Sequence, residues 1–92
     1  MNITYDENKN AINILERELS FELVSGLDWN SAVIVEDTRK NYGEQRFYAL
    51  AVLSGRLYAI IFTPRDNSVH VISFRKANKR EVVTYERVKE KA

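Results

Sequence analysis

The chain has 92 residues, of which 45% are hydrophobic, 11% aromatic and 29% charged, and its formal net charge is +1. This length fits one small domain, residues 1–92, and the composition excludes disordered and collagen-like classes. The absence of cysteine and the presence of only one histidine exclude disulfides, thiolate zinc sites and sites built from several histidines. The sequence has no apolar run of roughly 20 residues, which a membrane span needs, and no signal-peptide pattern at its N-terminus. We therefore expect a cytoplasmic protein with no metal, no cofactor and no membrane contact.

The charges are unevenly distributed along the chain. Residues 1–30 carry six acidic and two basic side chains, whereas residues 75–92 carry three acidic and seven basic ones. A basic terminal segment attracts anions locally. A solvated helix surface accounts for the same charges and is the commoner case.

Helix signals dominate the first third of the chain. Asp6 is a suitable N-cap for a first helix, and Ser20 is a suitable N-cap for a second, which Gly26 can end. Apolar residues recur at helical spacing after each cap: Ala11, Ile12, Leu15 and Leu19 after the first, and Phe21, Leu23, Val24 and Leu27 after the second.

Strand signals follow in the middle of the chain. We predict four strands, over residues 32–35, 46–53, 56–64 and 69–75, because these segments are rich in β-branched and aromatic residues. Asn78 and Glu81 form the sequence pattern of a capping box, which predicts a C-terminal helix with a narrow apolar stripe at Val82, Tyr85 and Val88. The expected fold is α+β: a four-stranded antiparallel sheet, two N-terminal helices and one C-terminal helix.

The predicted turns bring polar residues of three strands together. The two-residue turn at Ser54-Gly55 places Arg46 opposite Thr63. Pairing of Pro64 with Val69 across the next turn then places Thr63 opposite His70. These three residues would form a row suited to binding an anion, although a polar row that only keeps the sheet soluble explains the pattern too. The expected face of this row is shared by Tyr48, Ile61, Ile72 and Phe74, and the opposite face carries Val71, Ser73 and Arg75.

Cations cluster at the start of the C-terminal helix. Lys79 and Arg80 lie in its first turn, where the helix dipole disfavours positive charge. A bound anion would offset this cost and would use the free backbone N–H groups. Glu81 neutralises part of the same charge. The sequence contains no nucleotide-binding glycine loop and no zinc-protease or serine-hydrolase motif.

Four segments recur in this order in one known family: Tyr5-Asp6-Glu7-Asn8-Lys9, Glu36-Asp37-Thr38-Arg39, Tyr42-Gly43-Glu44-Gln45-Arg46-Phe47 and Ile72-Ser73-Phe74-Arg75-Lys76-Ala77. On these segments the chain resembles BrnT, the ribonuclease toxin of type II toxin–antitoxin pairs. The resemblance covers nearly the whole chain and implies a RelE-like fold and a metal-independent endoribonuclease that inhibits translation. It also implies a BrnA-like antitoxin with a ribbon-helix-helix part, in a hetero-oligomer that binds operator DNA through the antitoxin and represses its own operon.

The chain departs from this family after the first helix. The family usually has Lys-His-Gly-Ile-Ser-Phe where this chain has Glu16-Arg17-Glu18-Leu19-Ser20-Phe21. Without the family's glycine, we expect the first two helices to run together or to join at another angle. Arg17 stands in place of the family's histidine, which favours an alternative function: a catalytically weak or inactive subunit that binds the antitoxin and acts in operon regulation.

Metal-free RNA cleavage needs a base for the 2′-hydroxyl, stabilisation of the phosphorane, an acid and alignment. We assign Arg46 and Arg75 to holding the phosphate, His70 to proton transfer and Thr63 to orientation. The residues expected to hold the RNA strand are Lys76, Lys79, Arg80 and Tyr85. Two rival expectations remain: an apolar sheet face left uncovered as a partner surface, and a nucleic-acid-binding domain that retains RNA without cleaving it.

Overall fold

The computed structural model describes residues 1–91, which form an α+β fold with a five-stranded mixed sheet. The strands are β1 (Ile3–Tyr5), β2 (Val33–Glu36), β3 (Phe47–Leu53), β4 (Arg56–Arg65) and β5 (Ser68–Lys76). The α-helices are α1 (Glu7–Arg17) and α2 (Lys79–Glu90), and two short 3₁₀ helices span Phe21–Gly26 and Trp29–Ser31.

The sheet has the strand order β1-β5-β4-β3-β2. Strands β2 to β5 pair antiparallel as predicted, but β1 adds a fifth strand that pairs parallel to β5, with Thr4 opposite His70. The prediction of a purely antiparallel four-stranded sheet was therefore wrong. Three residues are too few to show a strand period, and the partner of β1 lies at the other end of the sequence.

The predicted hairpin registers are confirmed at the turns. Ser54 and Gly55 both have positive φ angles, 50° and 78°, as a two-residue hairpin turn of the I′ type requires. The pairs predicted from the turns are present: Leu53 with Arg56, Thr63 with His70, and Pro64 with Val69.

One face of the sheet, called here the core face, packs against the segment that follows α1. The predicted second helix is a 3₁₀ helix, capped by the Ser20 side chain. Its three residues per turn place Phe21 and Val24 on one side, and Leu27 follows at the same spacing; all three are buried. The core consists of Leu19, Phe21, Val24, Leu27, Ala49, Ala51, Ile60, Phe62, Val71 and Phe74.

Helix α1 turns polar residues inward. Its N-cap is Asp6, as predicted, but its buried residues are Asn10 and Asn13, whereas Ile12 and Leu15 are exposed. The apolar spacing that predicted this helix does not mark its buried side.

The two asparagines are buried because they satisfy backbone groups that the sheet and the next segment leave unpaired. Asn10 Oδ1 accepts a hydrogen bond from the Phe21 N–H at 2.7 Å. Asn13 Nδ2 donates to the carbonyls of Leu19 and Phe74, at 2.9 and 3.0 Å. Strand β1 pairs with β5 only as far as Val71. Asn13 therefore bonds a backbone carbonyl of β5 that β1 does not reach.

Helix α1 ends without a glycine. Glu18 adopts a left-handed conformation, with φ of 58° and ψ of 33°, and its N–H bonds the Ile14 carbonyl at 2.9 Å. Of the two expected arrangements, one continuous helix is therefore wrong, because Glu18 ends α1 before the segment at Phe21–Gly26 begins. Glu18 accepts a backbone conformation that costs an L-residue roughly 1–2 kcal/mol.

Helix α2 begins with the predicted capping box between Asn78 and Glu81. Its predicted apolar stripe is largely exposed at Val82 and Val88. The helix is instead held by polar contacts of Glu81 and by Tyr85, whose hydroxyl donates to the Ser31 carbonyl at 3.2 Å.

The left-handed Glu18 predicts a stabilising substitution. Glu18→Gly should raise the free energy of unfolding by about 0.5–1 kcal/mol, because glycine adopts this conformation without a Cβ clash. Glu16→Gly, two residues earlier in helical conformation, should lower it by a similar amount. Thermal unfolding of both variants checks the prediction, and a lower melting temperature for Glu18→Gly would contradict it.

Candidate active site

The face of the sheet opposite the core, called here the open face, carries the candidate site. A β-bulge interrupts the pairing of β4 with β5: Ile61 faces Ser73, but Phe62 faces Val71, so Ile72 has no direct partner. A bulge shifts all following side chains to the other face. Phe74 therefore enters the core, and Arg75 moves to the open face.

This bulge corrects the predicted faces of β5. Phe74 was expected on the same face as Thr63 and His70, and Ser73 and Arg75 on the opposite one. The observed register instead places Ser73 opposite Ile61 and Arg75 opposite Ala59, on the face that holds Thr63 and His70. The structure thus brings Arg75 to the same face as the other predicted catalytic residues.

Arg75 forms a cluster with Glu81 and Tyr48. Its guanidinium bonds both carboxylate oxygens of Glu81, at 2.8 and 3.0 Å, and the Tyr48 hydroxyl donates to the same carboxylate. Arg75 lowers the pKa of Glu81 to about 2. Burial, followed by Glu81, raises the pKa of Tyr48 to about 12. The cluster therefore keeps its charges across the neutral pH range and ties α2 to the sheet.

A shallow cavity of about 410 Å³ lies beside this cluster, between β5, α2 and the loop after β2. On its rim, Arg39 forms a two-pronged ion pair with Asp37, with Nε–Oδ1 and Nη2–Oδ2 distances of 2.8 Å. Arg39 holds the pKa of Asp37 well below its usual range. The carboxylate is buried, but 75% of the Arg39 side chain is exposed, so this arginine can also meet an anionic ligand.

A second polar cluster lies at the opposite end of the open face. The Glu44 carboxylate is 3.4 Å from Arg46 Nε and 3.4 Å from Arg65 Nη2. The Arg46 guanidinium also lies 4.1 Å from the centre of the Tyr42 ring, a cation–π contact. Arg46 comes just before β3, beside the paired residues Thr63 and His70.

His70 is held in the second cluster by β1. A hydrogen bond of 2.8 Å joins His70 Nδ1 and the Thr4 hydroxyl. Burial and then the charge of Arg65 lower the pKa of His70, against the opposing effect of Glu44. The imidazole is therefore neutral at neutral pH, which is the form that accepts a proton.

Thr63 does not face a substrate. It is 2% exposed, and its hydroxyl donates to the Gln45 carbonyl at 2.5 Å. Its observed contact fixes the backbone next to Arg46. Of the predicted row, Thr63 and His70 pair across the strands, with Thr63 as a support, and Arg46 lies just before Phe47, the first paired residue of β3.

The predicted catalytic residues do not converge on one point. His70 and Arg75 are both on β5, with four residues between them, and this spacing separates them by roughly 15 Å. Arg46 and Thr63 lie at the His70 end. A nucleic acid strand laid along β5 would meet both clusters.

The predicted RNA-binding residues fall into two groups. Lys76, Lys79 and Arg80 are exposed. Tyr85 is only half-exposed and is tied to Ser31, with the Lys89 ammonium 5.5 Å from its ring centre. At the start of α2, the predicted anion position is partly filled, because the Asn78 side chain accepts a hydrogen bond from the Glu81 N–H.

Five residues of the site were missed by sequence reasoning as functional groups: Arg39, Glu44, Tyr48, Arg65 and Glu81. Glu81 was recognised only as a helix cap, and Tyr48 only as a neighbour on its face. The bulge brings Arg75 to Glu81, and the loop after β2 places Arg39 and Glu44. The segment Glu36-Asp37-Thr38-Arg39, which recurs in the family, was the one signal for Arg39.

Comparison with known families identifies the chain. A family model described as the ribonuclease toxin, BrnT, of type II toxin–antitoxin systems matches residues 5–81. The chain belongs to this family. The match confirms the predicted resemblance, and a type II toxin–antitoxin family implies an antitoxin partner. A search of curated protein sequences found no significant match.

The match includes the charged residues of both clusters, since it extends from Tyr5, the last residue of β1, to Glu81. In this BrnT-family chain, Arg17 donates to Asn13 Oδ1 at 2.6 Å. Among residues 1–91, no helix is long and apolar enough to cross a bilayer. Over the same residues, no three His, Cys, Asp or Glu side chains gather as ligands for a metal ion.

The low pKa of Glu81 predicts how stability depends on pH. Because its folded-state pKa lies below its usual value of 4.5, ionised Glu81 contributes stability above that value and loses it as the pH falls towards 2. Glu81→Gln should therefore cost more unfolding free energy at pH 6 than at pH 3. Glu86→Gln, at an exposed position of α2, is the control. Urea unfolding at both pH values measures the difference, and a constant cost would contradict the role of the Arg75–Glu81 pair.

Proposed function

We propose that this protein is a cytoplasmic toxin with a RelE-like fold that cleaves RNA without a metal ion and thereby inhibits translation. A BrnA-like ribbon-helix-helix antitoxin neutralises it, and the complex represses its own operon through operator DNA. The observation that carries the proposal is the cluster of Arg46, Arg65 and His70 on the open sheet face of a chain in the BrnT family.

The Glu44 carboxylate supports a phosphate site at this cluster. It sits between the guanidinium groups of Arg46 and Arg65, where a phosphate carries the same charge and accepts the same hydrogen bonds. We assign Arg46 and Arg65 to stabilising the phosphorane, with Glu44 displaced when RNA binds. Arginine suits this task because its charge is permanent and its donors form a planar fork.

His70 is the proposed base. With its Nδ1 proton donated to Thr4 Oγ1, its Nε2 lone pair accepts the proton of the 2′-hydroxyl. The 2′-oxygen then attacks phosphorus, the P–O5′ bond breaks, and the 5′-oxygen takes a proton from solvent. The products are a 2′,3′-cyclic phosphate and a 5′-hydroxyl, which balances the reaction.

Arg75 is proposed to bind a flanking part of the RNA strand together with Arg39. Both guanidinium groups already have a carboxylate partner, so each retains a fixed orientation when an anion approaches. Exposed Lys76, Lys79 and Arg80 extend this positive edge. Tyr85 anchors α2 in this proposal and does not stack on a base.

The proposed activity is tested by cleavage of a defined RNA in the presence of EDTA. Arg46→Ala and His70→Ala should each reduce the cleavage rate more than tenfold, with unchanged melting temperatures. Arg56→Ala, at the exposed turn between β3 and β4, should retain the rate of the unsubstituted protein. The products should carry 2′,3′-cyclic phosphate ends, and undiminished cleavage by both site variants would refute the assignment.

The bridging position of Glu44 gives a separate prediction. Glu44→Gln should lower KM for RNA severalfold, because it removes a negative charge that competes with phosphate for Arg46 and Arg65. The measurement is cleavage kinetics at low salt, where such charges act most strongly. An increased KM would show that Glu44 positions the arginines instead of occupying the phosphate site.

The second candidate function is a catalytically weak or inactive subunit that binds the antitoxin and regulates the operon. It is favoured by Arg17, since the family's histidine is replaced by a side chain engaged with Asn13. Expression of the chain alone separates the two functions. Toxicity that the antitoxin reverses supports the ribonuclease, whereas tight antitoxin binding without toxicity or cleavage supports the regulatory subunit.

A further inference from the structure

A groove separates helix α1 from the bulged part of β5. Its cavity volume is about 170 Å³, enough for one large apolar side chain. We call it the α1 groove; it is lined by Lys9, Ile12, Asn13, Arg17, Phe21, Ile72 and Ser73.

Apolar side chains are exposed beside this groove. Ile12 is 55% exposed and Leu15 is 83% exposed, and their i, i+3 spacing places them together on one side of α1. The inward side of the helix already packs on the domain, where Asn10 and Asn13 bond backbone groups. Water therefore contacts these two apolar side chains, which a partner would favourably cover.

The charges of the α1 groove indicate the chemistry of this partner. The lining residues include the two cations Lys9 and Arg17 and no acidic side chain. Acidic groups on an occupant would pair with these cations at both ends of the apolar surface. A second copy of the chain is disfavoured, because a twofold axis through α1 would bring the cations of both copies together.

The groove also adjoins the proposed RNA site. Ser73 lines the groove, lies on the open face opposite Ile61, and sits between His70 and Arg75 on β5. An occupant of the groove is therefore next to the path proposed for RNA.

We propose that the α1 groove is the docking site of the antitoxin. A segment of the antitoxin inserts an aliphatic or aromatic side chain between Ile12 and Ile72 and pairs acidic side chains with Lys9 and Arg17. The remainder of the segment then reaches the open face and blocks RNA. This inference rests on the toxin–antitoxin function proposed above.

The test uses the full chain and the purified antitoxin encoded next to it. Ile12→Glu and Leu15→Glu should each weaken antitoxin binding at least 30-fold by titration calorimetry, because they place a charge in the apolar contact. Lys9→Glu should weaken it about tenfold at low salt and less at high salt. Val83→Glu, at an exposed position of α2, is the matched control and should bind with unchanged affinity. Ile12→Glu, Leu15→Glu and Val83→Glu should retain the cleavage rate of the unsubstituted toxin.

Unchanged antitoxin affinity in Ile12→Glu and Leu15→Glu overturns the docking site, as does a complete absence of antitoxin binding by the unsubstituted chain. Light scattering tests whether a second copy of the chain occupies the groove instead. The proposal is overturned if the chain forms a homodimer that Ile12→Glu dissociates while the antitoxin affinity stays unchanged. The proposed ribonuclease function has a separate test. It is wrong if the unsubstituted toxin binds the antitoxin but does not cleave RNA.

Discussion

The bulge at Ile72 is the constraint on which both sides of the sheet depend. By leaving this residue without a direct partner on β4, it sends Phe74 into the core and Arg75 to the open face. Without the bulge, Ser73 would take the core position of Phe74 opposite Ile60, Arg75 would lie opposite Tyr58 on the core face, and Phe74 would face water. One backbone irregularity thus completes the core and supplies the cation of the open face.

The bulge also gives Glu81 its second role. Glu81 closes the capping box of α2 through the Asn78 N–H, and the same carboxylate receives the Arg75 guanidinium and the Tyr48 hydroxyl. One buried carboxylate therefore starts a helix, docks it on the sheet and fixes an arginine at the candidate site. This coupling explains how α2 remains attached although its apolar residues are largely exposed.

Local features of this fold were predictable because short-range chemistry determines them. The caps at Asp6, Ser20 and Asn78 and the turn at Ser54-Gly55 each depend on a few neighbouring residues, and the turns fixed the pairing of Thr63 with His70. Features that depend on contacts between distant parts of the chain were not predictable. The strand β1 forms only against β5, and the inward side of α1 follows backbone groups that need asparagine. The bulge decides whether Ser73 or Phe74 packs opposite Ile60 in the core.

The candidate site was predictable in the same partial way. Arg46 and His70 follow from the hairpin register, whereas the partners Arg39, Glu44, Arg65 and Glu81 become evident only once loops and strand ends are placed. The most direct test of the account is an NMR titration of the protein with an RNA oligonucleotide blocked against cleavage by 2′-O-methylation. We predict the largest shifts at His70, Arg46 and Arg75, along the open face. Shifts confined to the core-face segment around Phe21–Gly26, with none on β5, would contradict it.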